Sequence, residues 1–587
     1  MRTRKRGRHA AGGPLAPPGR DILTAAETVV LPRLLIPNGP VAPPPPPAVS
    51  VVVSPPGVPL PRAGQDYAPS RRRTMVSRLA LLAIVSLQAL MSLRLRNTAF
   101  EDEALYLYAG RMEIAHLLHG AALQGSYAAY FSGAPVLYPV LGAALNAAGG
   151  LALARALSLA EMLAVTTMLY SVTRCLFNER VALCSAALFA VTESVMFLGH
   201  LATFDATCLF LLACATTIVV RWPGSPRLVF LLAAPLAALA VSVKYAGLLF
   251  VPTIAVLPAV AGWPARGRRA LLYPPAFAAV VAVLLAGALR LGGQAYAAAI
   301  GGTTTNRAHG AVSALAILRE SAAWGGVIIA LAVAGAVAYT AAPRTEPGEQ
   351  IAPPGGRRRR AALGAVLAGT AFLAPAYQMH LHTDVSLLKH IGFGLFFAAP
   401  MAGLGLVRLV GDHFRRPQVG IALWSGALVL GMTQSWNLYH AWPSSGALVK
   451  ALSAYLQPGA RYLVEVPEVP IYYLLGRPGA QPAQFWSTYT ISYTDSRGQT
   501  LTGNAGFAAA LRAGFFRVVA YDGDVTSSAD AVIARTLQSS RSYRLAEVVA
   551  LSDSAGPVRY YVWVKGLRTG RPPAAAPSLP PQMTLRR

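Results

Sequence analysis

Long apolar stretches alternate with short polar ones from Met75 to about Trp436. They fall at 76–95, 155–174, 181–198, 206–221, 228–243, 246–262, 270–289, 322–341, 361–377, 391–410 and 418–436. One helix needs about 20 apolar residues, within a range of roughly 17–25, to cross the hydrocarbon core of a bilayer. Each stretch is built mainly of Ala, Leu and Val with few charges inside it. The period-two alternation of a membrane barrel is absent, and an α-helix satisfies its own backbone hydrogen bonds in lipid. The pattern predicts a polytopic α-helical membrane protein with about eleven transmembrane helices.

Basic residues orient the spans. Arg71, Arg72, Arg73 and Arg78 precede or open the first stretch, and every second loop after it is basic. Those loops carry Arg174 and Arg180; Arg221 and Arg227; Arg266, Arg268 and Arg269; Arg357–Arg360; and Arg415 and Arg416. Retention of Lys and Arg on the cytoplasmic side places the N-terminus inside and the C-terminal segment outside. The first outer loop then runs over 96–154, with an amphipathic helix expected at about 101–119. The moderately apolar stretch 134–150 contains Pro135, Pro139 and Asn146 and would break the alternation if it crossed. It is read as an interfacial or re-entrant helix.

The flanks differ from this pattern. Residues 1–74 are rich in Pro, Arg and Gly, with a run at Pro43–Pro47, and are expected to form a disordered cytoplasmic tail. Their Arg cluster is not followed by an apolar core, so a cleaved signal peptide is not expected. Residues 75–436 form the expected membrane domain. In 437–566, β-rich runs at Tyr462–Val466, Ile471–Leu475, Arg517–Tyr521, Tyr543–Leu551 and Arg559–Val564 alternate with helical patterns at about 445–456, 505–513 and 527–538. This predicts a C-terminal extracytoplasmic α/β domain. Residues 567–587 read as a Pro-rich basic tail.

Composition narrows the classes. The 587 residues have a mean hydropathy of +0.46 and only 13% charged side chains, too few for a soluble chain of this length. The formal charge of +27 does not point to nucleic acid, because the arginines sit at helix ends and in the tail. Cys175, Cys184, Cys208 and Cys214 lie in or beside apolar stretches, without disulfide or metal-ligand spacing.

Candidate chemistry collects in the outer loops. Glu101-Asp102-Glu103 follows the first span. Three acids there suit a solvated helix N-terminus, but Tyr106 and its apolar neighbours suggest a semi-apolar cleft in which a carboxylate serves as a base. Asp205 lies near His200 and Thr203 in a second outer loop. An acid at the mouth of a span is a functional candidate, and N-capping of the next helix is the structural alternative. A third group is His380-Leu-His382-Thr-Asp384, followed by Lys389 and His390. Lys389 and Lys244 are placed for a lipid phosphate, with snorkelling as the alternative. The His-x-His-x-Asp string suits metal ligation but lacks a further ligand. No cofactor is assigned on it, and a divalent cation stays open. The orientation, derived without these residues, puts all of these loops on one membrane face.

The ordered set resembles the GT-C superfamily of membrane glycosyltransferases, in the bacterial branch related to protein O-mannosyltransferases and the lipid A aminoarabinose transferase. The resemblance covers about 76–436. It rests on Asp102-Glu103 in the first outer loop, on Leu201-Ala202-Thr203-Phe204-Asp205-Ala206 in the second, and on Lys389-His390 ahead of an apolar helix with Pro400. The pattern departs at His390, where the family has Tyr. The resemblance implies a GT-C-like fold and a polyprenyl-phosphate sugar as donor. It also implies an inverting single displacement to a glycan, lipid or protein acceptor. Asp102 becomes the expected base; Glu103 and Asp205 position hydroxyls, and His200, Thr203, Tyr106 and Asp384 line the substrate site. Lys389, with His390 and Lys244, stabilises the departing phosphate.

A transporter or flippase of a lipid-linked sugar is the rival reading. It predicts ionisable residues near mid-span and internal repeats. In this sequence the acids cluster at helix ends and no repeat is evident. A membrane scaffold whose outer domain binds a partner or glycan is a third reading.

Overall fold

The computed structural model describes residues 71–566, apart from 94–96, 124–126, 130, 223–228, 308, 342–355, 412–413, 524 and 554–555. The tails expected at 1–74 and 567–587 lie outside the described residues, save for Arg71–Thr74. The first helices are α1 (Arg71–Ser92), α2 (Glu101–His119), α3 (Tyr138–Leu176), α4 (Glu179–Ala190), α5 (Glu193–Leu198), α6 (Phe204–Arg221) and α7 (Ala233–Val243). They continue through α8 (Val251–Arg266), α9 (Tyr273–Thr303), α10 (Ala314–Ala341), α11 (Arg357–Gly369), α12 (Leu373–Leu381), α13 (Leu387–Val410) and α14 (Pro417–Ala441).

Among the described residues, eight helical segments are long and apolar enough to cross a membrane. Three of the eleven expected stretches do not join them. The stretch 181–198 breaks at Val191–Thr192, where Thr192 is extended and turns its hydroxyl back to Leu188 O at 3.0 Å. It yields a 12-residue and a six-residue helix. In 228–243 the α-helix starts only at Ala233, with Pro235 in its first turn, and is 11 residues long. The stretch 418–436 does form a 25-residue helix, α14, but outside the eight. The segment 134–150 is set apart from the span that follows it. The chain turns at Gly149 and Gly150, and Gly150 has φ +69°, which a side chain would strain.

Helix α13 is the axis of the bundle. Its span is 89% buried, against 11% for α1. Small residues let neighbouring backbones reach it: a Cβ on Gly335 would meet Met401 O at 2.0 Å, and one on Gly405 would meet Leu331 O at 2.3 Å. In lipid, such close backbone packing drives helix association in place of the hydrophobic effect.

The C-terminal region begins with α15 (Gly446–Ser453) and continues through β1 (Tyr462–Val464), α16 (Glu468–Leu474), β2 (Phe485–Ser487), β3 (Ser492–Thr494) and β4 (Thr500–Thr502). It ends with α17 (Gly503–Arg512), β5 (Val518–Tyr521), α18 (Ser527–Gln538), β6 (Tyr543–Asp553) and β7 (Gly556–Lys565). Its main sheet has the order β2-β1-β5-β7-β6. Strands β2, β1 and β5 are parallel, with Tyr462 opposite Phe485 and Val518, and β7 runs antiparallel to β5 and β6. The run Ile471–Leu475, expected as a strand, is instead mostly α16. Pro470 sits in its first turn, where a missing N–H costs nothing, and Ile471 and Leu474 share one buried face. Glu465 follows β1, is fully buried, and accepts N–H groups of Asp522, Gly523, Val525 and Thr526 at 2.6–3.3 Å. It ties the loop after β1 to the loop after β5.

The sheet's carboxyl edge faces the bundle. Val466 and Val469 pack on Ala99 and Ala104, the Tyr473 hydroxyl accepts the Ala99 N–H at 2.7 Å, and Tyr472 donates to Asn146 at 2.8 Å. The C-terminal region therefore sits on the end of the bundle where α2 begins.

Candidate active site

The segment before α2 is anchored at both ends. Asn97 donates to Tyr439 O and Trp442 O at 3.0 and 2.8 Å, and the Trp442 indole donates to Ala99 O at 3.1 Å. This fixes the first turn of α2, which carries Glu101, Asp102 and Glu103.

The three acids have three different settings. Glu103 is fully buried. It accepts two N–H bonds from Arg155 at 2.6 and 2.7 Å, the Ala202 N–H at 2.7 Å and the Phe100 N–H at 2.9 Å. These bonds saturate the carboxylate. The expectation that Glu103 holds a substrate hydroxyl is corrected here: it braces α2 against α3 and the loop before α6. Removing one partner of a buried pair costs about 3–5 kcal/mol because the other charge is stranded. Glu103→Gln and Arg155→Met are each expected to lower the melting temperature of the detergent-solubilised protein sharply, which a thermal-shift series would measure.

Asp102 is different. Its side chain is 28% exposed and forms an ion pair with Lys389, whose side chain is 11% exposed. Glu101, beside it, is pushed up to about 8 by burial and by Glu468 and Asp102, with Lys389 acting in the opposite direction.

A second pair lies deeper. Asp205 and Lys244 are 2.6 Å apart with side chains 0% and 3% exposed. Asp205 is the second residue of α6 and binds a cation, and the position before the helix belongs to Thr203, so the N-cap alternative for Asp205 does not hold. The Lys244 ammonium also lies 4.5 Å over the Phe204 ring, which packs 4.4 Å from Tyr106. Backbone bonds from Tyr245 N to Ser132 O and from Ala134 N to Ser242 O, both 2.8 Å, stitch the first outer loop over this pair. His390 is buried beside Phe393, and among the described residues neither ring nitrogen has a hydrogen-bond partner.

The structure thus brings Asp102, Lys389, Asp205, Lys244, His390 and Tyr106 to one end of the bundle. Of the other expected site residues, His200 and Asp384 are engaged elsewhere or face solvent. The His200 imidazole bonds to Ser92 O and lies 4.7 Å from Tyr439. Burial, and Arg155 after it, pull its pKa down to about 3, so it is a neutral link between α1 and α14. Thr203 is buried and its side chain makes no cap bond to α6. Asp384 is exposed, and its carbonyl accepts the Leu387 N–H at 2.8 Å. The His380-x-His382-x-Asp384 string does not converge as a ligand set; the His380 and His382 rings lie 5.6 and 6.3 Å from His309 instead. Among the described residues no three His, Cys, Asp or Glu side chains are placed to hold a metal ion.

Sequence reasoning missed Arg155, Glu468 and Tyr489. An arginine at the edge of an apolar stretch was the available signal for Arg155. No local signal marks Glu468 or Tyr489, which lie in the C-terminal region within the electrostatic field of Asp102.

These features describe a multi-pass helical bundle with a charged cluster at one end, under an α/β region. Residues 135–289 match a family model described as dolichyl-phosphate-mannose-protein mannosyltransferase. No curated protein gives a significant sequence match. Among solved structures, the chain is similar to ArnT from Cupriavidus metallidurans in the apo state, with a TM-score of 0.51 and 14% identity over 84% of this chain and 98% of that one. It is equally similar to the same protein bound to undecaprenyl phosphate, with a TM-score of 0.51 and 15% identity over 83% and 97% of the two chains. The likeness to these structures is one of fold, and the family model matches residues 135–289 only.

Proposed function

We propose that the protein is a hexosyl- or pentosyltransferase. It moves a sugar from a polyprenyl-phosphate donor to an acceptor on the outer face of the cytoplasmic membrane, by inverting single displacement. The observation that carries this reading is the Asp102–Lys389 ion pair, a partly exposed carboxylate in contact with a cation at the mouth of the bundle. A lipid-phosphate donor is supported by the family description and by the undecaprenyl phosphate of the similar crystal structure.

The chemistry follows from the two groups. The acceptor oxygen attacks the anomeric carbon, and the bond from that carbon to the phosphate oxygen breaks. The acceptor proton passes to Asp102, and the electron pair of the broken bond leaves with the phosphate. Lys389 meets the charge that grows there, and a fixed cation in a dry site stabilises such charge most. In the resting site Lys389 holds Asp102. An arriving phosphate draws the ammonium to itself and frees the carboxylate to act as base. Asp205 and Lys244, closed off from solvent, hold α6 and the segment after α7 in register beneath the reacting groups. One base and a good leaving group suffice for this displacement, unlike the carboxylate pair of a glycosidase.

The direct test is turnover by purified protein with a panel of polyprenyl-phosphate monosaccharides and membrane-extract acceptors. Release of polyprenyl phosphate is expected. Movement of intact donor across vesicles, without cleavage, would favour the flippase reading instead. Sidedness has its own test. Reporter fusions after Arg360 and after Tyr439 are expected to report opposite faces, with Tyr439 outside; the same face for both would remove the outer-face assignment.

A further inference from the structure

The edge of the C-terminal sheet that points away from the bundle has no role in the chemistry above. Arg461 directly precedes β1, Arg517 directly precedes β5, and Lys565 ends β7. These strands are neighbours in the sheet. The Arg517 N–H donates to Arg461 O at 2.8 Å and the Lys565 N–H to Arg517 O at 2.9 Å, so the three cations stand in one row. The row lines a cavity of about 710 Å³ together with Tyr455, Gln457 and Phe515, and no acid among the described residues lines it. None of the ion pairs among the described residues includes a member of the row. Arg461 and Lys565 are exposed, and the Arg517 Nε atom is buried without a hydrogen-bond partner among the described residues. Local packing fixes the row. The Arg461 guanidinium lies 4.2 Å over the Phe515 ring, and the Lys565 ammonium donates to Gly514 O at 2.6 Å. A Cβ on Gly514 would stand 2.7 Å from the tip of Lys565, and its φ of +63° favours glycine. The loop 457–460 is pinned by Gln484, whose amide donates to Gln457 O at 3.1 Å and to Ala460 O at 2.8 Å. Glu465, Glu468 and Asp522 follow β1 and β5 at the opposite edge.

We propose that this cavity binds an anionic saccharide, a short stretch of glycan bearing phosphate or carboxylate groups, and so holds the acceptor chain on the C-terminal region. The acceptor role rests on the transferase reading above; the binding site rests on the geometry alone. Like charges directly opposite one another on neighbouring strands destabilise a sheet. Three in a row, with no acid beside them, raise the potential at this edge and attract an anion. Strands lie about 4.8 Å apart, so the row spans about 10 Å and meets successive charges of an extended ligand. Arg517 carries an unpaired buried N–H, and an anion at its guanidinium offsets the cost of that burial. Small-ligand sites occupy roughly 300–1,000 Å³, a range that includes this cavity and leaves room for a saccharide segment. Tyr455 offers ring surface to a sugar, and Gln457 offers an amide to its hydroxyls. This concave mixture of cations, ring and amide favours a glycan over an acidic protein. The edge also points away from the bundle, and therefore away from lipid headgroups.

The test uses the full chain in detergent, without donor. Titration calorimetry measures affinity for an oligogalacturonate, for a phosphorylated mannose oligosaccharide and for a neutral mannose oligosaccharide of the same length. At least one charged probe is expected to bind, more weakly as salt rises, and the neutral one is not. Which charged probe binds separates carboxylate from phosphate recognition. Arg517→Gln should weaken that binding about tenfold, and Arg517→Lys should recover part of the loss. Because Arg517→Gln removes one of three like charges, the melting temperature should hold or rise, whereas loss of a purely structural arginine would lower it. Lys565→Gln is the second variant, with the same expected loss, should Arg517→Gln not fold. Binding of neither charged probe, equal binding of the neutral probe, or binding that both variants leave intact overturns the proposal. Equal affinity for poly-L-glutamate of matched charge would overturn the glycan assignment and make the row a surface for an acidic protein. With no donor present, these outcomes do not depend on whether the chain transfers sugar. A chain that binds the charged glycan yet releases no polyprenyl phosphate in the turnover assay keeps the site and loses the acceptor role.

Discussion

Asp102→Asn is expected to lower sugar transfer by about 10²–10⁴-fold, the usual range for loss of a general base, while the protein still inserts and still binds donor. The side chain keeps its size and can still touch Lys389 through an amide oxygen. What it loses is the capacity to take a proton. Asp102 is partly exposed, so its loss should change thermal stability little. Glu103, one residue on, should show the opposite profile, with a large stability loss, because its four bonds are internal. The pair of adjacent variants therefore separates a chemical carboxylate from a bracing one. The measurement is initial rate per folded molecule, alongside donor affinity. Near-normal turnover in Asp102→Asn would move the base to Asp205 or remove the enzyme reading.

Lys389→Met should lower turnover more than it weakens donor binding, and Lys389→Arg should recover part of the loss. Charge on the phosphate grows as the glycosidic bond breaks, so the cation matters more in the transition state than in the ground state. Removing a preorganised group of this kind costs about 10²–10³-fold in rate. The snorkelling alternative forecasts a small change in insertion and an intact rate. The structure already weighs against it, because the Lys389 side chain is 11% exposed and ends on a carboxylate. An unchanged rate for Lys389→Met would leave the phosphate role without support. Lys389→Met also strands Asp102 without its cation, but that carboxylate is partly hydrated, so folding should survive.

The membrane class and the order of the charged loops were legible in the sequence, for local reasons. Span-length apolar runs must be helices in lipid, and the alternation of Arg-rich loops orders them, so the loops with Asp102, Asp205, Lys244 and Lys389 were expected on one face before any contact was visible. Helix breaks were less legible. Thr192 begins a new helix inside the apolar run 181–198, whose composition does not announce the break. Short strands fared worse: β2, β3 and β4 are three residues each, and their pairing depends on partners distant in the chain.

Only the tertiary structure gave the three neighbouring acids different settings. Glu101, Asp102 and Glu103 are consecutive in the chain, and sequence distinguishes them only by position. Packing of Arg155 and the Ala202 backbone saturates Glu103, Lys389 pairs with a partly exposed Asp102, and burial, followed by Glu468 from far along the chain, pushes the Glu101 carboxyl up. His200 and Asp384 likewise sit in promising strings, yet one is spent on Ser92 and the other faces solvent. The hydrophobic pattern is a property of each segment and its solvent, so a sequence carries it directly. The state of a carboxylate depends on the charges and donors within a few ångströms, and those are assembled by the fold.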